Sequence, residues 1–132
     1  MYQLRGKLSI VMPAYNEEAL IYNSIMQTLS IVEQFAPDLE IIAVNDGSKD
    51  KTKQEIERAI RDDAKQPHPV VPGMRVSGTR IKLVTSNKNR GKGNAIISGI
   101  SQAEGDYIAF VDADLELNPA QLEGYLKKMQ ES

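Results

Sequence analysis

Short apolar runs alternate along the chain with longer stretches whose apolar residues return every three or four positions. Leu8-Ser9-Ile10-Val11-Met12 is short, contains β-branched residues and is closed by Pro13, which predicts a strand buried on both faces. Asn16 followed by Glu17 and Glu18 predicts a helix start, a capping side chain and then acids in the first turn. Ile21, Ile25, Leu29 and Val32 carry the helical period as far as Phe35, and Ala36-Pro37-Asp38 stops it. Leu39 to Val44 is a second strand, closed by the turn Asn45-Asp46-Gly47-Ser48. Asp50 can cap a helix from Lys51 to Ala64 that buries Ile56, Ala59 and Ile60.

Residues 66–79 hold three prolines, two glycines and His68, and read as a loop with a short extended piece at Val70-Val71. His68 reads as a surface residue of that loop. Ile81 to Thr85 is a third strand and Ser86 to Gly93 a polar, basic loop. Asn94 to Ala103 predicts a helix with Ile96, Ile97 and Ile100 inward. Tyr107 to Val111 is a fourth strand, and Asn118-Pro119 opens a last helix with Leu122, Tyr125, Leu126 and Met129 on its apolar side. Tyr107, Phe110 and Tyr125 read as core.

Strands alternating with amphipathic helices predict an α/β fold, a mainly parallel sheet with helices on both faces. In such sheets ligands bind beyond the carboxyl ends of the strands. Each suggestive polar cluster follows a strand: Pro13 to Glu17, Asn45 to Ser48, Ser86 to Gly93, and Asp112 to Glu116.

Charge sharpens this picture. The first 63 residues carry 7 basic and 11 acidic side chains, residues 64–103 carry 7 basic and no acidic ones, and the remainder carries 7 acids against Lys127 and Lys128. The middle suits an anion and the end a cation. The net formal charge of −2 gives no sign of a nucleic-acid partner. With no cysteine and one histidine, thiolate and multi-histidine metal sites are excluded. At 132 residues and 41% apolar content the chain can bury one real core, and residues 1–132 read as a single domain. No apolar run approaches the roughly 20 residues that span a bilayer, and the expectation is a soluble, intracellular protein.

The acidic cluster Asp112-Ala113-Asp114-Leu115-Glu116 is the most specific. If strand geometry continues, alternation sets the three carboxylates on one side. Converging carboxylates repel one another, and a hard divalent cation such as Mg²⁺ or Mn²⁺ relieves that repulsion. The plain alternative is a solvated acidic turn. Asn89-Arg90-Gly91-Lys92-Gly93 has two cations and glycines ahead of a helix, which attracts phosphate. It matches neither GxxxxGK[ST] nor GxGxxG, and an ordinary basic loop is its alternative. Asp46 can belong to a plain turn or accept hydrogen bonds from a base or ribose. Tyr15 can close the strand or face a nucleobase.

Taken together, the runs SIVMPAYNEE, IIAVNDGSKDKT, NRGKGNAIISGI and GDYIAFVDADLELNP resemble the family 2 glycosyltransferases, which have the Rossmann-like GT-A fold. They cover most of residues 8 to 120, and DADLELNP is most similar to the polyprenyl-phosphate (dolichyl-phosphate) mannosyl- and glucosyltransferases. The resemblance implies strand order three-two-one-four in a truncated GT-A fold. It implies a nucleotide-diphospho-sugar donor of the GDP-mannose or UDP-glucose type. Pro13, Tyr15 and Glu17 would line the base and ribose site, Asp46 would contact the base or ribose, and Arg90 and Lys92 would lie near the nucleotide. Asp112 and Asp114 match the family's Asp-x-Asp pair and would serve the chemistry, holding Mg²⁺ or Mn²⁺ and the diphosphate. Glu116 is the third candidate metal ligand, at a position where polyprenyl-phosphate enzymes often carry Gln. Asn45 stands where many members have Asp.

The expected reaction is transfer with inversion to a polyprenyl-phosphate acceptor, at the cytoplasmic face of a membrane through peripheral contact. Family members are usually longer, so the chain reads as the donor half, and residues 66–79 as an insertion. The implied strand order leaves the fourth strand on an edge, apolar on both faces. The expectation is pairing with a second copy or membership of a longer protein. The alternative reading is an inactive nucleotide-binding or assembly module. A phosphotransfer protein is disfavoured, because the acidic pair lies far in sequence from Asp46 and no lysine follows a later strand.

Overall fold

The computed structural model describes residues 2–70, 78–116 and 118–131. The chain runs β1 (Leu8–Ala14), α1 (Ile21–Val32), β2 (Leu39–Asp46), α2 (Thr52–Ala64), β3 (Ile81–Ser86), α3 (Lys92–Gln102), β4 (Tyr107–Phe110), a 3-10 turn (Pro119–Gln121) and α4 (Leu122–Glu131). The sheet is parallel in order β3-β2-β1-β4, as expected. Central strands of a two-layered sheet must be apolar on both faces. Accordingly β2 is buried along its whole length and β1 everywhere except the half-buried Pro13.

Alternate residues of β1 and β2 serve different helices. Leu8, Ile10, Met12, Ile41 and Ala43 pack with Ile21, Ile25, Leu29 and Val32 of α1, Ile56 and Ala59 of α2, and Leu126 of α4. Val11, Ile42 and Val44 on the other face meet Ala95 of α3. This second layer is thin because α3 lies close. A Cβ on Gly99 would overlap Val11 and stand 3.2 Å from Val44 Cγ2.

Several expectations are corrected. The first helix begins at Ile21, not at Asn16. Asn16 has a left-handed backbone (φ 52°) and joins two loops instead. Its N–H donates to Ser48 Oγ, and its Oδ1 accepts from Lys49 N–H. The Glu17 and Glu18 N–H groups likewise donate to Thr52 Oγ1 and Asp50 Oδ2. The helix regularity ends at Val32 and looser turns continue to the buried Phe35. In α3, Ala95 and Gly99 face the sheet, while Ile97 is 66% exposed and Ile100 is exposed too. Close approach to the sheet selects small residues, so Ile97 and Ile100 turn outward and Ile96 is half-buried. β4 stops at Phe110, although Val111 N–H still bonds to Val11 O. Phe110 (51% exposed) and Tyr125 (64% exposed) are not core, nor is Met129; Tyr107 is half-buried. Phe110 and Ile108 share one face of β4 at the sheet edge, and both are exposed.

His68 is not a surface residue. Its side chain is 10% exposed, and Nε2 lies 2.8 Å from the Asp63 carbonyl oxygen and 3.2 Å from Asp63 Oδ1. Of the extended piece expected at Val70-Val71, Val71 lies outside the described residues. Asn118 caps as expected, its side chain accepting from Ala120 N–H with Pro119 in the first helical position. No helix among the described residues is long and apolar enough to cross a membrane.

Candidate active site

The carboxyl ends of β1, β2 and β4 and the amino end of α3 surround a cleft of about 460 Å³. Pro13, Tyr15, Glu17, Asp46, Lys92, Asp112, Asp114 and Glu116 all line it. Four separate polar segments of the sequence therefore meet at one place. Arg90 is the exception, since its side chain is exposed and not part of the lining. Ala14, Asn89, Gly91 and Ala113 join the lining from within the candidate clusters, and Ala95 of α3 is the lining residue from outside them.

Asp46 is buried at the end of β2 and its carboxylate is already engaged. Oδ1 accepts from Arg90 N–H and Oδ2 from Gly91 N–H, both at 3.0 Å. This clamps the loop ahead of α3 and aims the helix's amino end at the cleft. Gly47 makes the clamp possible. It has φ 70°, and a Cβ there would overlap the backbone of Lys88 and Asn89. Gly91, at φ 93°, completes the turn into α3.

The acidic cluster is not an extended strand. Residues 113 and 114 form a turn, Leu115 is left-handed (φ 53°), and Leu115 N–H donates to Asp112 O. The alternation expected for the three carboxylates therefore fails. Asp114 Oδ1 instead accepts from Glu116 N–H. Ser24, buried on α1, donates through Oγ to the Ala113 carbonyl between the two aspartates. Ser24 and Thr28 are the hydroxyl residues on the buried face of α1, and a serine at that helical spacing was the signal for it. Replacing Ser24 with alanine strands that carbonyl and is expected to cost about 1–3 kcal/mol in urea unfolding. It should also weaken ligand binding at the aspartates more than an equally destabilising change remote from the cleft.

The charges of the cleft are unbalanced. Glu17, Asp46, Asp112, Asp114 and Glu116 face one ammonium, that of Lys92, among the residues lining it. Lys92 Nζ lies 2.6 Å from Asp112 Oδ1. Its pKa is raised, by the Asp112 hydrogen bond first and also by the charges of Asp112, Asp114 and Glu116. Glu17 is held above the usual carboxylate range by burial, then by the charges of Asp114 and Asp50. These shifts report the same electrostatic deficit from opposite sides.

Hard carboxylate oxygens with unmet negative charge fit a divalent cation. Among the described residues no three acids or histidines converge closely enough to hold an ion alone. The donor set therefore fits a cation that shares its coordination with an oxygen-rich ligand, as Mg²⁺ commonly does with phosphates.

Residues 9–132 match the model of glycosyl transferase family 2. The chain belongs to that family. Among its curated relatives, the undecaprenyl-phosphate 4-deoxy-4-formamido-L-arabinose transferase of Enterobacter sp. (strain 638) is 34% identical over 125 residues, 95% of this chain and 34% of the relative. The enzyme of the same name from Pseudomonas fluorescens (strain SBW25) is 33% identical over 115 residues, 87% of this chain and 30% of the relative. The family 2 chain thus spans about a third of the length of these relatives. Solved structures agree on the fold. TarS of S. aureus, in complex with UDP, superposes with a TM-score of 0.65 at 26% identity, covering 95% of this chain and 32% of that one. The mannosyltransferase PcManGT of Pyrobaculum calidifontis, in complex with GDP-Man and Mn²⁺, gives 0.67 at 23% identity, covering 83% and 28%. The sheet order and these neighbours show a GT-A glycosyltransferase fold.

Proposed function

We propose that this chain is the donor-binding half of an inverting glycosyltransferase that takes a nucleotide-diphospho-sugar and delivers the sugar to a polyprenyl phosphate. The observation that carries the reading is the meeting of Asp112, Asp114, Lys92 and the amino end of α3 in one cleft. Carboxylates alone would repel a diphosphate. A lysine and a helix amino end attract one. Asp112 and Asp114 would hold a divalent cation, Mg²⁺ or Mn²⁺, which when bound offsets the negative charge that grows on the departing diphosphate.

The chain's own residues take distinct parts. Pro13 and Tyr15, the latter exposed at the end of β1, offer a surface for the base and ribose. Asp46 serves the nucleotide by fixing the Arg90–Gly91 backbone, and Lys92 neutralises phosphate oxygens. In the transfer, a phosphate oxygen of the acceptor bonds to the anomeric carbon. The bond from that carbon to the diphosphate oxygen breaks, and the nucleoside diphosphate leaves with the electron pair. A phosphate monoester is already an anion near neutral pH, because its second pKa is about 6. It therefore needs no general base. The names of the curated relatives support undecaprenyl phosphate as the acceptor class, which sets the reaction at a membrane face.

Calorimetric titration with UDP and GDP, with and without Mn²⁺, tests the reading. One of the two nucleotides is expected to bind, and to need Mn²⁺. Asp114→Ala should weaken that binding by about a hundredfold. Failure of both nucleotides to bind at millimolar concentration would overturn the proposal. Binding that ignores Mn²⁺ and survives Asp114→Ala would favour a nucleotide-binding module without transfer activity.

A further inference from the structure

We propose that Lys92 is a transferable counter-ion, held by Asp112 until a diphosphate draws it off and thereby frees Asp112 for a divalent cation. The inference deepens the donor reading above and rests on it. Its starting point is the 2.6 Å ion pair between Lys92 Nζ and Asp112 Oδ1. The two side chains are 61% and 45% exposed, so the pair is solvated and exchanges at little cost. Lys92 is the first residue of α3, and its four-carbon stem can swing about a fixed helix end.

The competing demands on this one ammonium make the exchange necessary. Asp112, Asp114 and Glu116 all act on it, and no second cationic side chain lines the cleft among the described residues. Asp46 makes no call on it, because two backbone N–H groups satisfy its carboxylate. An ammonium seated on Asp112 repels a divalent cation and occupies the lone pairs that cation would use. A diphosphate carries more negative charge than one carboxylate and offers several acceptor oxygens, so it outcompetes Asp112 for Lys92. The diphosphate then also supplies the oxygens that the protein lacks for a complete ion site. Nucleotide and cation should therefore bind with positive coupling, equal in both directions.

The test measures Mn²⁺ affinity by the electron paramagnetic resonance of the free ion, and UDP and GDP affinity by calorimetry. Wild type, Lys92→Met and Lys92→Arg are compared, each with and without the other ligand. Lys92→Met is expected to tighten Mn²⁺ binding about tenfold without nucleotide, since a positive charge beside the ion is removed. It is expected to weaken nucleotide binding about tenfold without Mn²⁺. The coupling between the two ligands should shrink accordingly, and Lys92→Arg should restore the wild-type pattern. Unchanged thermal unfolding checks that the variants fold. A weaker nucleotide with unchanged or weaker Mn²⁺ binding would overturn the exchange and leave Lys92 a phosphate contact only. Tighter Mn²⁺ with unchanged nucleotide binding would also overturn it. Wild-type protein that binds neither nucleotide would overturn the donor reading, and the exchange with it.

Discussion

Asp63→Ala is expected to lower the unfolding free energy by about 3–5 kcal/mol, the cost of breaking a buried ion pair. Asp63 is fully buried in the last turns of α2, where the helix dipole disfavours an acid. It is tolerated because its carboxylate is almost fully occupied. Arg80 donates to it through its backbone N–H, Nε and Nη2, and Thr79 through its hydroxyl. The His68 ring lies against it as well. Removing the carboxylate leaves the buried Arg80 guanidinium with Glu33 as its remaining ion-pair partner among the described residues. The loss is a large share of the 5–15 kcal/mol that typically holds a domain together. Urea unfolding should show it as a lower midpoint with an unchanged slope. Replacing Arg80 with methionine in the same chain should recover part of the loss, because the stranded charge is then gone. No recovery would show that the pair is not the source.

The same site sets an acid limit. Burial raises the Asp63 pKa, but the hydrogen bonds and charge of Arg80, with His68, outweigh it and hold the carboxyl below its ordinary value of 3.8. A depressed folded pKa contributes stability that is fully present above the unfolded value and is lost as pH falls through the folded one. Glu40 behaves alike. Burial raises it, yet Ser9, the Glu104 N–H, Lys82 and Lys7 leave it below 4.5. Unfolding midpoints should therefore hold steady toward neutral pH and drop below about pH 4. Asp63→Ala should flatten that drop.

Gly47→Ala is expected to abolish most nucleotide affinity while the sheet survives. A left-handed backbone costs a non-glycine residue about 1–2 kcal/mol. Here the new Cβ would also overlap the backbone of Lys88 and Asn89 and stand 2.8 Å from Lys88 O. Those are main-chain atoms, so no rotamer change relieves the clash and the loop must move. Asp46 then loses Arg90 and Gly91, and α3 no longer presents Lys92 to the cleft. Calorimetry should register at least about a tenfold weaker nucleotide, since displacements of about 1 Å are costly at such sites. Gly93→Ala is the control. Nothing lies within 4 Å of its Cβ, and it sits in the first turn of α3. Alanine there should leave binding intact and stabilise the helix by up to about 1 kcal/mol. Equal effects of the two substitutions would refute the close-approach argument.

The order of elements, the parallel sheet and the rim on which the site forms were all legible along the chain. These follow from local signals: apolar runs such as Leu39 to Val44, helical periods such as Ile21, Ile25 and Leu29, and polar clusters after each strand. Burial by both layers is written into such runs directly, and the site inherits its location from the topology. Packing between elements set which residue of each cluster reaches the cleft. Asn16 left the helix because bonds to Ser48 and Lys49 satisfied it better than a cap. Ile97 turned outward because Val11 and Val44 leave room for no Cβ at Gly99. His68 went inside because Asp63, buried by Arg80, gave its ring a partner. Arg90 lends the site its backbone rather than its side chain, and Lys92 lies on Asp112. Each of these outcomes depends on a residue more than 4 positions away along the chain. Periodicity reads neighbours within one element, so contacts set by packing between elements stay hidden until the chain folds.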